Sequence, residues 1–150
     1  MKLKALALPA LLVLVLAGPN ASPRSATRFE TLIQSTSAWD GTAYKPYPSG
    51  RPQISVLKIT IPPHGVLKWH THPMPNAAYI LSGNLTVEKP DGTRKHFVAG
   101  QAIAETVGVI HRGVTGNEPA VLIVFYAGAP GLPLSEPARA TPKPQASSAE

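Results

Sequence analysis

Histidines 70 and 72 stand one residue apart in the stretch WHTHPMPNAAYILSG, which runs from Trp69 to Gly83. Side chains on a β-strand alternate between faces, so His70 and His72 share one face while Trp69 and Thr71 take the other. Two imidazoles on the inner face of a barrel can converge on one divalent ion through neutral ring nitrogens. The same spacing fits two imidazoles that simply pack on a strand, so the chemistry turns on whether further ligands join them. The chain has no cysteine, which excludes disulfides, thiolate zinc sites and cysteine nucleophiles. Any metal here is held by nitrogen and oxygen.

The elements that must position this pair are short strands. Ile54 to Ile61, ISVLKITI, is β-branched and stops at Pro62-Pro63. Leu67 to Thr71 follows, then the PMPN bend, then Ala78 to Leu81. Leu85 to Lys89 and Lys95 to Val98 flank Pro90-Asp91-Gly92, which has the chemistry of a tight hairpin turn. Gln101 to Glu105 and His111 to Thr115 come next, and Ala120 to Tyr126, AVLIVFY, closes the series as a nearly all-apolar strand. About eight strands with a turn signal every 8–12 residues predict an all-β sandwich or barrel. A double-sheet jelly roll fits the count, and so does an immunoglobulin-like sandwich. Helical periodicity is absent after Ser25, save for a turn or two admissible at Thr27 to Gln34. Tyr79, Trp69 and Phe125 are expected in the core, and His64 and His96 at the surface.

The two ends carry no site chemistry. Met1 to Leu16, MKLKALALPALLVLVL, places two lysines before an apolar run that ends in the small and turn-forming residues GPNASP. This is the layout of a secretory signal peptide, expected over residues 1–21 with cleavage after Ala17 or Ala21. The run is about 13 residues, against about 20 for a membrane span. An uncleaved anchor is the alternative, and a periplasmic or secreted protein without membrane contact is the expectation. From Gly128 the chain is rich in Pro, Ala and Ser, and residues 133–150 are expected to form a flexible tail. That leaves one domain over residues 27–132, enough for a modest core. The net charge is +6, about +4 once Lys2 and Lys4 leave with the signal peptide. The remaining basic residues are scattered, and no nucleic-acid footprint is expected.

Downstream of the pair, Gly100 to Thr115 reads GQAIAETVGVIHRGVT. Here the chain resembles the cupin family. The first motif of that family is glycine, five residues, His-x-His, three or four residues, glutamate, six residues, glycine; His70, His72 and Gly83 match it. The second is glycine, five residues, Pro-x-Gly, two residues, histidine, three residues, asparagine; Gly100, Gly108 and His111 match it. The likeness runs from about Ile54 to Ala127. It implies an all-β double-stranded β-helix, a jelly-roll barrel, with His70, His72 and His111 as metal ligands inside it. It also implies a small-molecule ligand or substrate and a possible homodimer.

Four positions depart from the family pattern. His64 stands where the first motif has glycine, Thr106 where the second has proline, and Thr115 where the second has asparagine. These three are expected to reshape loops. The fourth concerns chemistry: Asn76 stands at the glutamate position. A neutral amide oxygen is a poor transition-metal ligand, so Asn76 is either a fourth position of the site or a turn residue after Pro75. Three imidazoles suit iron, copper, nickel or zinc, and manganese less well. Open positions on such an ion would take water or substrate. Glu105, six residues before His111, is the nearest other carboxylate.

Three functions fit these residues. The first is a metal-dependent, oxygen-using enzyme of dioxygenase type, with isomerisation or hydrolysis open within the same class. The second is a small-molecule-binding or sensing barrel with or without metal. The third is a barrel whose histidines hold no ion. Fold alone does not choose among them.

Overall fold

The computed structural model describes residues 26–138, and every strand lies in the compact unit that begins at Thr31. The signal peptide expected over residues 1–21 lies outside the described residues. Residues 27–34 carry no helical turn; Phe29, Leu32 and Ile33 have helical spacing but stay exposed, and so short a helix does not form without packing.

Among the described residues nine strands form: β1 Gln53–Ile61, β2 His70–Thr71, β3 Asn76–Ser82, β4 Asn84–Glu88, β5 Arg94–Val98, β6 Ala102–Ala104, β7 Arg112–Val114, β8 Ala120–Gly128 and β9 Glu136–Pro137. All pairings are antiparallel. One sheet has the order β1-β8-β3-β6, a second β5-β4-β7, and β2 pairs with β9. Isolated bridges Val66–Val114 and His70–His111 tie Val66 and the start of β2 to β7 and the residue before it. This is the all-β jelly roll, with no helix among the described residues.

Alternation explains the core. On β8, Ala120, Leu122, Val124 and Tyr126 point inward and are buried, and on β3 Asn76, Ala78 and Ile80 do the same. They pack beside Ile103 of β6 in the same sheet and meet Leu85 and Val87 of β4 and Phe97 of β5 from the other sheet. The outward row behaves oppositely. Phe125 was expected in the core but is 40% exposed; its neighbours at 124 and 126 own the inner face. Tyr79 is likewise only half-buried on the outward row. Trp69 packs at the edge instead, with the Arg112 guanidinium 4.2 Å above its ring. Arg112 also donates to buried Glu88 at 2.6 Å, and Arg94 reaches the same carboxylate at 2.8 Å, so cross-strand charges lace β5, β4 and β7.

Two turns show what fixes the frame. Gly83 links β3 to β4 with φ 73°, and a Cβ there would sit 2.0 Å from the Pro119 carbonyl oxygen. Only glycine satisfies both demands. His64 takes φ 55° without being glycine, so this loop accepts a left-handed non-glycine residue. Thr115, which stands where the family pattern has asparagine, holds that loop in place. Its hydroxyl donates to the Pro62 carbonyl at 2.6 Å and accepts from the Gly65 amide at 2.8 Å.

The tail expected from residue 133 is described only as far as Ala138. Residues 136–137 pair with His70–Thr71, the Ala138 amide donates to the Trp69 carbonyl at 2.9 Å, and Leu134 packs on the core. Composition hid this because one leucine and a two-residue pairing suffice to hold the segment against the exposed edge of β2. Residues 139–150 lie outside the described residues.

Candidate metal centre

His70 and His72 project from β2 and from the residue just after it, and His111 stands just before β7, bridged backbone to backbone with His70. The three ring centroids are 4.9 Å (70–72), 4.5 Å (70–111) and 5.1 Å (72–111) apart. One ligand atom from each lies within 4.8 Å of the others. His72 and His111 are buried and His70 is half-buried. Parity therefore placed the first two on one face, and the third arrives from the strand next door.

The hydrogen bonds settle which nitrogen faces the centre. His70 Nδ1 lies 2.8 Å from the Lys68 carbonyl, His72 Nδ1 2.7 Å from the Leu134 carbonyl, and His111 Nδ1 2.9 Å from the Val109 carbonyl. A carbonyl only accepts, so each Nδ1 carries the proton and donates. Each Nε2 is left with a lone pair. Three rings with one tautomer, oriented from behind by backbone oxygens, are the arrangement that metal-ligating histidines adopt. Burial drives the pKa of His72 down to about 4, opposed by its bond to Leu134. Burial does the same for His111, opposed by its bond to Val109. Both rings are therefore neutral at pH 7, the state that binds metal.

Thr106 stands where the family pattern has proline, and it does more than reshape a loop. It is fully buried, and its Oγ1 lies 2.9 Å from His111 Nδ1, beside the Val109 carbonyl. A proline could not make that contact.

Asn76 and Glu105 complete the polar wall. Asn76 is buried on β3; its Nδ2 donates to the Met74 carbonyl at 3.3 Å, and its Oδ1 has no partner. Glu105 follows β6 and turns inward, away from the exposed strand end that was the alternative. Its Oε2 is 3.4 Å from His111 Nε2 and also has no hydrogen-bond partner. Burial raises its pKa to about 7. Buried orphan oxygens are rare in folded proteins and call for an explanation such as an ion or a water. The donor set fits a divalent ion: three imidazoles bring one ligand atom each within 4.8 Å of the others, with two unsatisfied oxygens in the same wall.

The cavity they share is about 60 Å³, room for an ion with a few waters or one small group. Below the polar wall its lining is apolar, with Ile59, Leu67, Leu122 and Val124 among the contributors. Tyr126 closes it, its ring 5.7 Å from that of His72 and edge-on. Tyr126 was readable as the next inward residue after Leu122 and Val124. Leu134 had no such signal. His64 and His96 stay outside: His64 is exposed in its loop, and His96 is exposed on β5 beside Thr86, 3.1 Å away.

The Leu134 contact makes one test local. A chain ending at Pro133 loses the acceptor for His72 Nδ1 together with β9, whereas a chain ending at Ala138 keeps both. Loss of such an outer partner weakens metal binding about 10-fold or more. Competition titration should show that loss in the shorter chain only. Equal affinities in the two chains would remove Leu134 from the site.

Comparisons with known proteins agree with this frame. The family model for the cupin domain matches residues 57–126. Among curated proteins none matches the sequence. The polyketide cyclase RemF from Streptomyces resistomycificus superposes with a TM-score of 0.51 and 22% identity, covering 61% of this chain and 64% of its own. A structure of the DMSP lyases RdDddP and RnDddQII gives a TM-score of 0.51 and 17% identity, over 57% and 44%. A cupin-like protein from Thermotoga maritima matches at 14% identity with a TM-score of 0.49, over 57% and 64%. The chain thus spans less than two thirds of each of these chains, and at such identities the likeness concerns the fold alone. The domain match lies over β1 to β8, and with the antiparallel barrel around it, residues 57–126 of this chain form a cupin domain.

Proposed function

We propose that this cupin holds one divalent transition metal through His70, His72 and His111, with Asn76 at its edge, and turns over a small molecule in an oxygen-dependent reaction of dioxygenase type. The observation that carries the metal reading is the shared tautomer: three Nδ1 atoms are committed to backbone carbonyls and three Nε2 atoms to one cavity. Iron, copper, nickel and zinc are the ions that imidazole ligands favour. When bound, such an ion supplies Lewis acidity or, if redox-active, oxygen chemistry. The chain's own contribution is to keep two rings neutral, to desolvate the site and to admit only a small group to its apolar floor. Substrate-dependent oxygen uptake by the metal-loaded chain, abolished by His72→Ala, tests this.

A second reading has an observation of its own. With an amide at 76 and an apolar floor, the cavity suits a neutral ligand bound without turnover. A ligand that raises the melting temperature but draws no oxygen would favour this binding module. The proposed location is the periplasm or the medium, which rests on the amino-terminal sequence. A homodimer is supported by the exposed apolar residues Ile54, Val56 and Phe125 on the outer face of β1 and β8, where Val56 and Phe125 are register partners.

A further inference from the structure

We infer that Glu105 is a metal ligand, supplying from β6 the carboxylate that the family pattern places at position 76; this rests on the metal reading above. In the antiparallel register of β3 and β6, Ala77 faces Ala104 and Ala78 faces Ile103, so Asn76 stands opposite the residue after β6, Glu105. The Glu105 amide donates to the Asn76 carbonyl at 3.1 Å, which confirms that alignment. Cross-strand partners share a face, with Cβ atoms about 5 Å apart. A carboxylate moved from 76 to 105 therefore stays on the same wall of the cavity.

The contact between Glu105 and His111 carries the assignment. His111 Nδ1 holds the ring's proton, so its Nε2 presents a lone pair. Glu105 Oε2 faces that lone pair at 3.4 Å, buried and with no donor. Two electron-rich atoms set against each other in an apolar cavity are unfavourable unless something positive sits between them. A separation of 3.4 Å is what two ligands about 2.1 Å from one ion present at near-tetrahedral angles. The Glu105 main chain is held on both sides, by Asn76 and by the Tyr44 hydroxyl, which donates to the Glu105 carbonyl at 2.9 Å. The side chain therefore stays at the site. The consequence is a set of three imidazoles and one carboxylate, which accepts Mn(II) and Fe(II) as well as the softer ions.

The test uses the full chain without an affinity tag and measures affinity for Mn(II), by electron paramagnetic resonance of the free ion, and for Zn(II), by competition. E105Q keeps the shape and removes the charge. It is expected to weaken Mn(II) by at least about 10-fold, and Zn(II) by less. The exchange N76E/E105Q returns a carboxylate to the wall and is expected to restore Mn(II) to within a few-fold. Unchanged Mn(II) affinity in E105Q would overturn the assignment while leaving the three-histidine site standing. A loss in E105Q that the exchange does not restore would mark Glu105 as structural and overturn it too. Absence of any binding by the native chain would overturn the metal reading itself.

Discussion

Replacing His70 and His72 together with alanine is expected to leave the chain without metal, where the native chain carries close to one equivalent. The argument is one of ligand count. Among the described residues, His70, His72 and His111 are the only histidines that line the cavity. With two removed, His111 and the neighbouring oxygens cannot hold a transition ion against water. Metal analysis of the two proteins reads this directly. Thermal melts separate lost binding from lost folding: an ion at about 100 times its Kd stabilises the native chain by roughly 3 kcal/mol, and the variant should show no such shift. The metal then selects the assay, with iron, copper or nickel leading to oxygen uptake and zinc to hydrolysis. A variant that keeps its metal would place the ion elsewhere. A native chain that takes up none of these ions would leave a ligand-binding barrel.

The parts of the molecule legible in the sequence were those governed by local rules. Strand alternation put His70 and His72 on one face, the turn residues at 90–92 marked the β4–β5 hairpin, and those at 82–84 marked the turn that carries the chain from one sheet to the other. The segment Leu67 to Thr71 shortened to two strand residues, because it meets the chain around β7 only through isolated bridges at Val66 and His70 and not through a continuous ladder. What stayed illegible depends on distant pairings. Nothing near Glu105 announces that it faces inward; that follows from its register opposite Asn76. Nothing near Leu134 announces a bond to His72, 62 residues away. Thr106 read as a loop change and Asn76 as either a fourth site position or a turn residue, yet both are buried beside the histidines. Their roles emerge only when the elements that carry them are set side by side.

Acidification should destabilise the metal-free protein, and the site's own groups set the size of the effect. His72 and His111 have folded-state pKa values of about 4 against an ordinary 6.5. Below pH 6.5 the unfolded chain takes up protons that the folded chain refuses until about pH 4. Each ring thus removes stability as the pH falls through that window, on the order of 3 kcal/mol. Glu105 works in the opposite sense. Its pKa rises from 4.5 to about 7, so its buried neutral form favours folding below pH 4.5 and that contribution is lost as the pH climbs through 7. It offsets one of the two rings, leaving a net loss on the order of 3 kcal/mol between pH 7.5 and pH 4. Denaturant unfolding of metal-free protein at the two pH values measures it. In Glu105→Gln the offset disappears, because glutamine does not titrate, and the acid loss should roughly double. Parallel losses in the two proteins would show that the Glu105 carboxyl is not the proton-holding group of the cavity. A bound ion changes the balance again: it competes with protons for the three imidazoles and for the carboxylate, so the loaded protein should keep its stability to lower pH than the metal-free one.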